Sequence, residues 1–126
     1  MTDTAHERAG RPAPEEIRLS KDGETLTVSF PDTSFAFTPE FLRVESPSAE
    51  VRGHSPSQRS YVGGKRDVRI TAIEPVGSYA VRLRFDDGHD SGIYSWAYFY
   101  DMGSDREAVW AAYLKGLAAV GGRREP

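Results

Sequence analysis

Apolar and polar residues alternate with a period of two in several stretches of the chain, and with the period of an α-helix in one more near its end. Ile17-Arg18-Leu19 comes first, then Leu26, Val28 and Phe30 against Thr25, Thr27 and Ser29, then Phe35 and Phe37 with Ser34 and Ala36 opposite. Val68, Ile70 and Ala72 begin a further strand, and Tyr79, Val81, Leu83 and Phe85 alternate with Ala80, Arg82, Arg84 and Asp86. Such alternation marks strands with one face in a core. Asp22-Gly23, Pro31-Asp32 and Asp87-Gly88 supply the turns. Glu74-Pro75-Val76-Gly77-Ser78 reads as the connection that closes the last two strands into an antiparallel hairpin.

Two helices follow from different signals. Thr38 is placed to cap a short one after the third strand, with Pro39 at the first helical position, where a missing N–H costs nothing. Near the end, Ser104 and Glu107 have the spacing of a capping box, and Val109, Tyr113, Leu117 and Val120 then form an apolar stripe widened by Trp110 and Leu114. Gly121-Gly122 stops it. The pattern predicts an α+β domain: a mostly antiparallel sheet, a short helix after the third strand, and a C-terminal amphipathic helix packed on the sheet.

Length adds that there is one domain, since 126 residues fall within the roughly 100–200 expected for one. Residues 1–14 carry charge, Ala, Gly and Pro without any apolar period and read as a disordered tail, leaving 15–121 as the domain and 122–126 as a C-terminal tail. Glu45 to Arg66 is rich in Ser, Gly, Pro and Arg and reads as a long surface loop, with one turn of helix at Ser48 to Val51. Loops of this length are disproportionately functional or mobile, which points to a binding role.

Charge and cysteine content exclude more than they suggest. Sixteen basic and nineteen acidic residues give a formal net charge of −3, too balanced for nucleic-acid binding through bulk charge. There is no cysteine, hence no disulfide, thiolate ligand or cysteine nucleophile. No apolar run approaches the ~20 residues that span a bilayer, and the N-terminus lacks the apolar core of a signal peptide. A cytoplasmic protein without a membrane partner is expected.

The densest chemistry follows the strand ending at Phe85. Asp86, Asp87, His89 and Asp90 crowd one turn, with Tyr94 and Trp96 just downstream. His89 beside aspartates suits a metal ligand or a general base, and equally a turn-locking hydrogen bond. His54, in the long loop, would have to join Asp86 or Asp90 beside it to make even a weak nitrogen–oxygen site for a divalent metal. Ser91 invites a hydrolase reading, but neighbours along a strand point to opposite faces. Gly63-Gly64-Lys65 lacks the full phosphate-loop spacing. Arg82 and Arg84, with Arg69 expected opposite them, form a basic stripe that either takes an acidic partner or is solvated and paired. Tyr94, Trp96, Tyr98, Phe99 and Tyr100 are core by default, and Trp96 becomes a partner contact if exposed.

PEFLRVESPSAEV, DVRITAIEPVGSYAVRLRF and DGHDSGIYSW, in that order between Ile17 and about Tyr100, resemble the gamma-butyrobetaine hydroxylase N-terminal-like domain family. The resemblance implies a mostly antiparallel sheet with flanking helices, standing alone, ahead of an iron- and 2-oxoglutarate-dependent oxygenase domain, or with P-loop ATPases of iron–sulfur assembly. In the carnitine-pathway oxygenases of this kind, three cysteines after the Leu-Arg pair and the histidine of Asp-Gly-His hold a structural zinc. Here Leu42-Arg43 and His89 match, while the cysteine positions fall at about Ser46, Ser48 and Val51. The resemblance therefore implies a non-catalytic accessory or binding module with an oxygenase or P-loop ATPase as protein partner and no cofactor. The alternatives are a metal-dependent or ligand-processing enzyme built on His89, Asp86, Asp90 and His54, and a domain with no retained site.

Overall fold

The computed structural model describes residues 13–126, so the expected tail lies almost wholly outside the described residues. Two antiparallel three-stranded sheets carry the fold. The first comprises β1 (Glu16–Leu19), β2 (Leu26–Ser29) and β3 (Ser34–Phe37), paired in chain order. The second comprises β4 (Ile70–Val76), β5 (Ala80–Phe85) and β6 (Ile93–Ser95), with β5 in the middle. Between them run α1 (Pro39–Val44), a single turn α2 (Ala49–Arg52) and a 3-10 turn at Pro56–Gln58. After β6 come α3 (Trp96–Ser104) and α4 (Arg106–Ala119). The class is α+β, as the sequence pattern predicts, with the expected strands divided between two sheets.

Period-two alternation does what it should on β2, where Leu26 and Val28 are buried, and on β5, where Val81, Leu83 and Phe85 are buried. These meet Phe37, Phe41, Leu42, Tyr94, Phe99 and Met102 in one core. α1 begins as expected: the Thr38 hydroxyl accepts the Phe41 N–H at 3.1 Å and Pro39 opens the helix. α4 rests Val109 and Trp110 on the main core, while Tyr113 and Leu117 enclose a second cluster with Val44.

Several local expectations change. β4 continues through Glu74, Pro75 and Val76, so the connection shortens to Gly77-Ser78-Tyr79. Pro75 is tolerated because β4 is an edge strand of its sheet. The register shifts between Ile70 and Ala72, and Ile73 instead of Ala72 faces Leu83. A one-residue bulge inverts the alternation beyond it, so Ile70 and Ile73 pack inward and Ala72 does not. Tyr79, expected inward, sits in the turn and is 54% exposed.

Arg69 falls outside the β4–β5 register and reaches the Asp22 carbonyl at 2.7 Å instead of standing opposite Arg82 and Arg84. The capping box at Ser104 does not form, because Ser104 ends α3 and Asp105 is the junction between the two helices. Val120, expected on the stripe, lies past the last helical turn and is exposed. The glycine stop does form: Gly121 takes φ +72°, its N–H donates to the Ala118 carbonyl at 3.0 Å and that of Gly122 to the Leu117 carbonyl at 2.9 Å.

Candidate functional site

The segment after α1 and the turn after β5 are joined side chain to side chain. At the turn, the Gly88 N–H donates to the Phe85 carbonyl at 3.1 Å, the Phe85 N–H to the His89 carbonyl at 3.0 Å, and the His89 N–H to Asp87 Oδ1 at 3.0 Å. This fold-back aims the imidazole inward, and His89 is 5% exposed. From the other side, Glu45 ends α1 and leaves Ser46 fully buried. The Ser46 hydroxyl lies 2.8 Å from His89 Nε2 and accepts the Ser48 N–H at 3.2 Å.

Position 92 must be glycine for this packing, since a Cβ there would stand 2.4 Å from Ser46 Oγ. Glu50 Oε2 lies 3.1 Å from His89 Nδ1. A carboxylate can only accept, so Nδ1 carries the proton, Nε2 accepts, and the Ser46 hydroxyl donates to it. Ser48 and Ser91 hydroxyls add a third link at 2.7 Å.

Electrostatics favour the same arrangement. Burial, and then the nearby Arg43 charge, hold the His89 imidazole below its ordinary 6.5 despite Glu50 and Asp87, so the neutral ring is favoured. Asp87 accepts from Arg43 Nε at 2.7 Å and pairs with Lys65 Nζ at 2.6 Å. Burial alone would raise this carboxyl, but the contacts from Lys65, the His89 amide and Arg43 outweigh it and lower it to about 2. Arg43 is buried, and its Nη1 has no hydrogen-bond partner among the described residues. Tyr94, also buried, donates to the Leu42 carbonyl, so α1, β6 and the turn close around one junction.

The remaining candidates go elsewhere. Asp86 Oδ1 accepts the Arg69 N–H at 3.0 Å, and Asp90 pairs with Arg84 at 3.2 Å. His54 follows α2, with its backbone N–H on Gln58. Arg82 and Arg84 both pair with Glu74, at 2.8 and 3.2 Å, so the basic stripe is neutralised along its own sheet. Trp96 opens α3, and its Nε1–H donates to the Ser78 carbonyl at 2.8 Å, clipping the helix to the β4–β5 turn. The expected surface loop is in fact folded at its start: Glu45, Ser46, Ser48 and Val51 are buried, and Arg52 and Arg59 both bind the Glu45 carboxylate.

The partners of His89 were only half visible in the sequence. Ser46 stands at a position the resemblance singles out, but Glu50 carries no sequence signal beyond lying two residues after a helix cap. Residues 17–100 match the family model described as gamma-butyrobetaine hydroxylase-like, N-terminal. The chain belongs to this family. Two solution structures are similar at TM-score 0.79: one is 44% identical and covers 93% of each chain, the other is 42% identical and covers 100% of this chain and 92% of its own. A DUF971 family protein of unknown function from Acidithiobacillus ferrooxidans is 36% identical at TM-score 0.59, over 71% of this chain and 91% of its own. No curated protein matches.

Family membership raises the question of zinc. Ser46, Ser48 and His89 do meet at one buried junction, with Val51 buried on the short helix that follows Ser48, but two hydroxyls and a hydrocarbon are not soft thiolates, and the hydroxyls already bond to His89, Ser91 and backbone. This donor set does not fit a Cys3His zinc. Among the described residues no three His, Cys, Asp or Glu side chains come together as a metal-holding group. No helix among them is long and apolar enough to cross a membrane.

Proposed function

We propose that the chain is a non-catalytic accessory module that works by binding a protein partner in the cytoplasm. The observation that carries this reading is the state of His89, whose two ring nitrogens are both engaged and whose neighbour Ser46 is 0% exposed. The order Glu50, His89, Ser46 repeats the hydrogen-bond order of a Ser–His–acid triad. A nucleophile, however, must reach a substrate carbonyl beside donors for the developing oxyanion. Ser46 is closed in by Gly92 and Tyr94, so the geometry supports a locked turn over a hydrolase. The rival set of His89, Asp86, Asp90 and His54 is divided among separate partners, which removes the convergence an enzyme needs.

Family resemblance supplies the partner class: a P-loop ATPase of iron–sulfur assembly or a 2-oxoglutarate-dependent oxygenase. The test is calorimetric titration of each purified candidate from the same source with the intact chain and with His89→Asn. Saturable binding to one of them, retained in a folded His89→Asn, supports the module. Absence of binding to both overturns it.

A further inference from the structure

The last residues, expected as a tail, are docked. The Gly64 N–H donates to the Arg123 carbonyl at 2.9 Å and the Arg66 N–H to the Arg124 carbonyl at 3.1 Å. A Cβ on Gly63 would come within 2.6 Å of the Arg123 carbonyl, so the two backbones lie in direct contact. Arg124 then reaches across to α1. Its Nε and Nη2 donate to the two oxygens of Glu40 at 2.8 and 2.7 Å, and its guanidinium lies 5.2 Å over the Trp110 ring.

Glu40 is 5% exposed, and a carboxylate that buried is costly without a cation. A guanidinium suits it better than an ammonium, because one planar group meets both oxygens and stacks on the indole together. Arg124 also stands between two clefts. One, of about 340 Å³, is floored by Phe41 and Trp110 with Glu107 at its rim, and the other, of about 320 Å³, is bordered by Glu24, Asp67 and Val68. Both share Thr38, Glu40 and Arg124 as walls, so the two clefts adjoin along the Glu40–Arg124 pair as the two sides of one groove.

We propose that this groove is a docking site for an arginine-bearing extended segment of a partner protein, with residues 122–126 as its intramolecular occupant. The proposal rests on the binding-module reading and adds the chemistry of what is bound. The seated Arg124 supplies the template: backbone carbonyls taken by the N–H groups of Gly64 and Arg66, and a guanidinium clamped by Glu40 and covered by Trp110, between walls where Glu24, Asp67 and Glu107 alternate with Arg66, Arg69 and Arg106. A partner segment displaces the chain's own arginine by presenting the same groups.

The test uses the full chain carrying Trp96→Phe, which leaves Trp110 as the only indole. Arg124→Ala in that background is titrated with a capped Gly-Arg-Arg-Glu-Pro peptide, and separately with its Gly-Lys-Lys-Glu-Pro counterpart, following Trp110 fluorescence. Saturable binding of the arginine peptide is expected, weakened by about tenfold or more both for the lysine peptide and when Arg124 is retained. If Arg124→Ala does not fold, Arg124→Lys, which keeps a cation beside Glu40, carries the same titration.

No saturable response, or equal affinity for the two peptides, overturns the groove. So does equal affinity with and without Arg124. Such a failure alongside retained ATPase or oxygenase binding removes the groove and leaves the module standing, whereas peptide binding without either partner overturns the accessory-module reading and leaves the groove standing.

Discussion

Ser46 Oγ and His89 Nε2 stand 2.8 Å apart although 43 positions separate them in the chain. The bond ties the end of α1 to the turn after β5, and it satisfies the only acceptor that a neutral His89 with its proton on Nδ1 presents. Ser46→Ala leaves that nitrogen and the Ser48 N–H without their buried partner. A loss of about 1–3 kcal/mol is expected in urea unfolding, with the secondary structure intact. A loss below a few tenths would mean that the bond is incidental.

Gly92 tests the same junction from the side of steric fit. Its added Cβ would meet Ser46 Oγ at 2.4 Å and the Tyr94 ring at 3.1 Å. Gly92→Ala should therefore destabilise the chain, and Ser46→Ala should relieve part of the clash, so the double variant is expected to lose less than the sum of the two singles. Strict additivity in a double-mutant cycle would place the two residues out of contact.

Asp87 is the anion on which Arg43 and Lys65 converge. Asp87→Asn keeps the shape and the acceptor for the His89 N–H but leaves a buried guanidinium facing an ammonium. A cost of about 2–3 kcal/mol is expected, below the range for a fully enclosed pair because Asp87 retains some solvent contact. Chemical denaturation of the variant checks it, and Arg43→Met in the Asn background should recover stability by removing the orphaned charge.

How much of this was legible depends on the kind of contact. Hairpins are written locally, so Leu26, Val28, Leu83 and Phe85 announced their faces, and Thr38 announced its cap. The bulge at Thr71 was not, since one extra residue inverts a face without changing composition. α3 escaped because its aromatic residues read equally as strand or core, and the Ser95 hydroxyl that caps it at the Tyr98 N–H was hidden among them. The junction at His89 is a meeting of distant segments. The family pattern marked Ser46 and His89, but nothing in a single sequence sets Glu50 beside an imidazole.

The same junction divides the segment from Glu45 to Arg66, which reads from sequence as uniformly loose. Ser46 to Arg52 is anchored by Ser46, Val51 and the Glu45–Arg52 pair, whereas Gly53 to Gln58 is held mostly by its own short turns. Hydrogen exchange should therefore be slow at Val51 and Arg52 and fast at His54 and Ser57. Equal fast exchange throughout would restore the open-loop picture, and with it the case for this segment as a flexible recruiter.

His89 sets the pH dependence. Its folded-state pKa lies below the ordinary 6.5, through burial first and then Arg43, with Glu50 and Asp87 opposing. The unfolded chain thus binds a proton more readily than the folded one as pH falls through 6.5, so this contribution to stability is complete above that value and is lost on acidification towards the folded pKa. Asp87 acts in a separate window, losing its contribution as pH falls from 3.8 towards about 2. Urea unfolding of the parent chain and of His89→Gln from neutral pH down to about pH 5 isolates the histidine, because every other titrating group is common to both. The parent should lose stability across that interval more steeply than the variant. Parallel curves would mean that folding leaves the imidazole unshifted, and a ring titration by NMR above 6.5 would show that the buried imidazole is charged near neutrality and that the proton assignment giving Ser46 its role as donor is wrong.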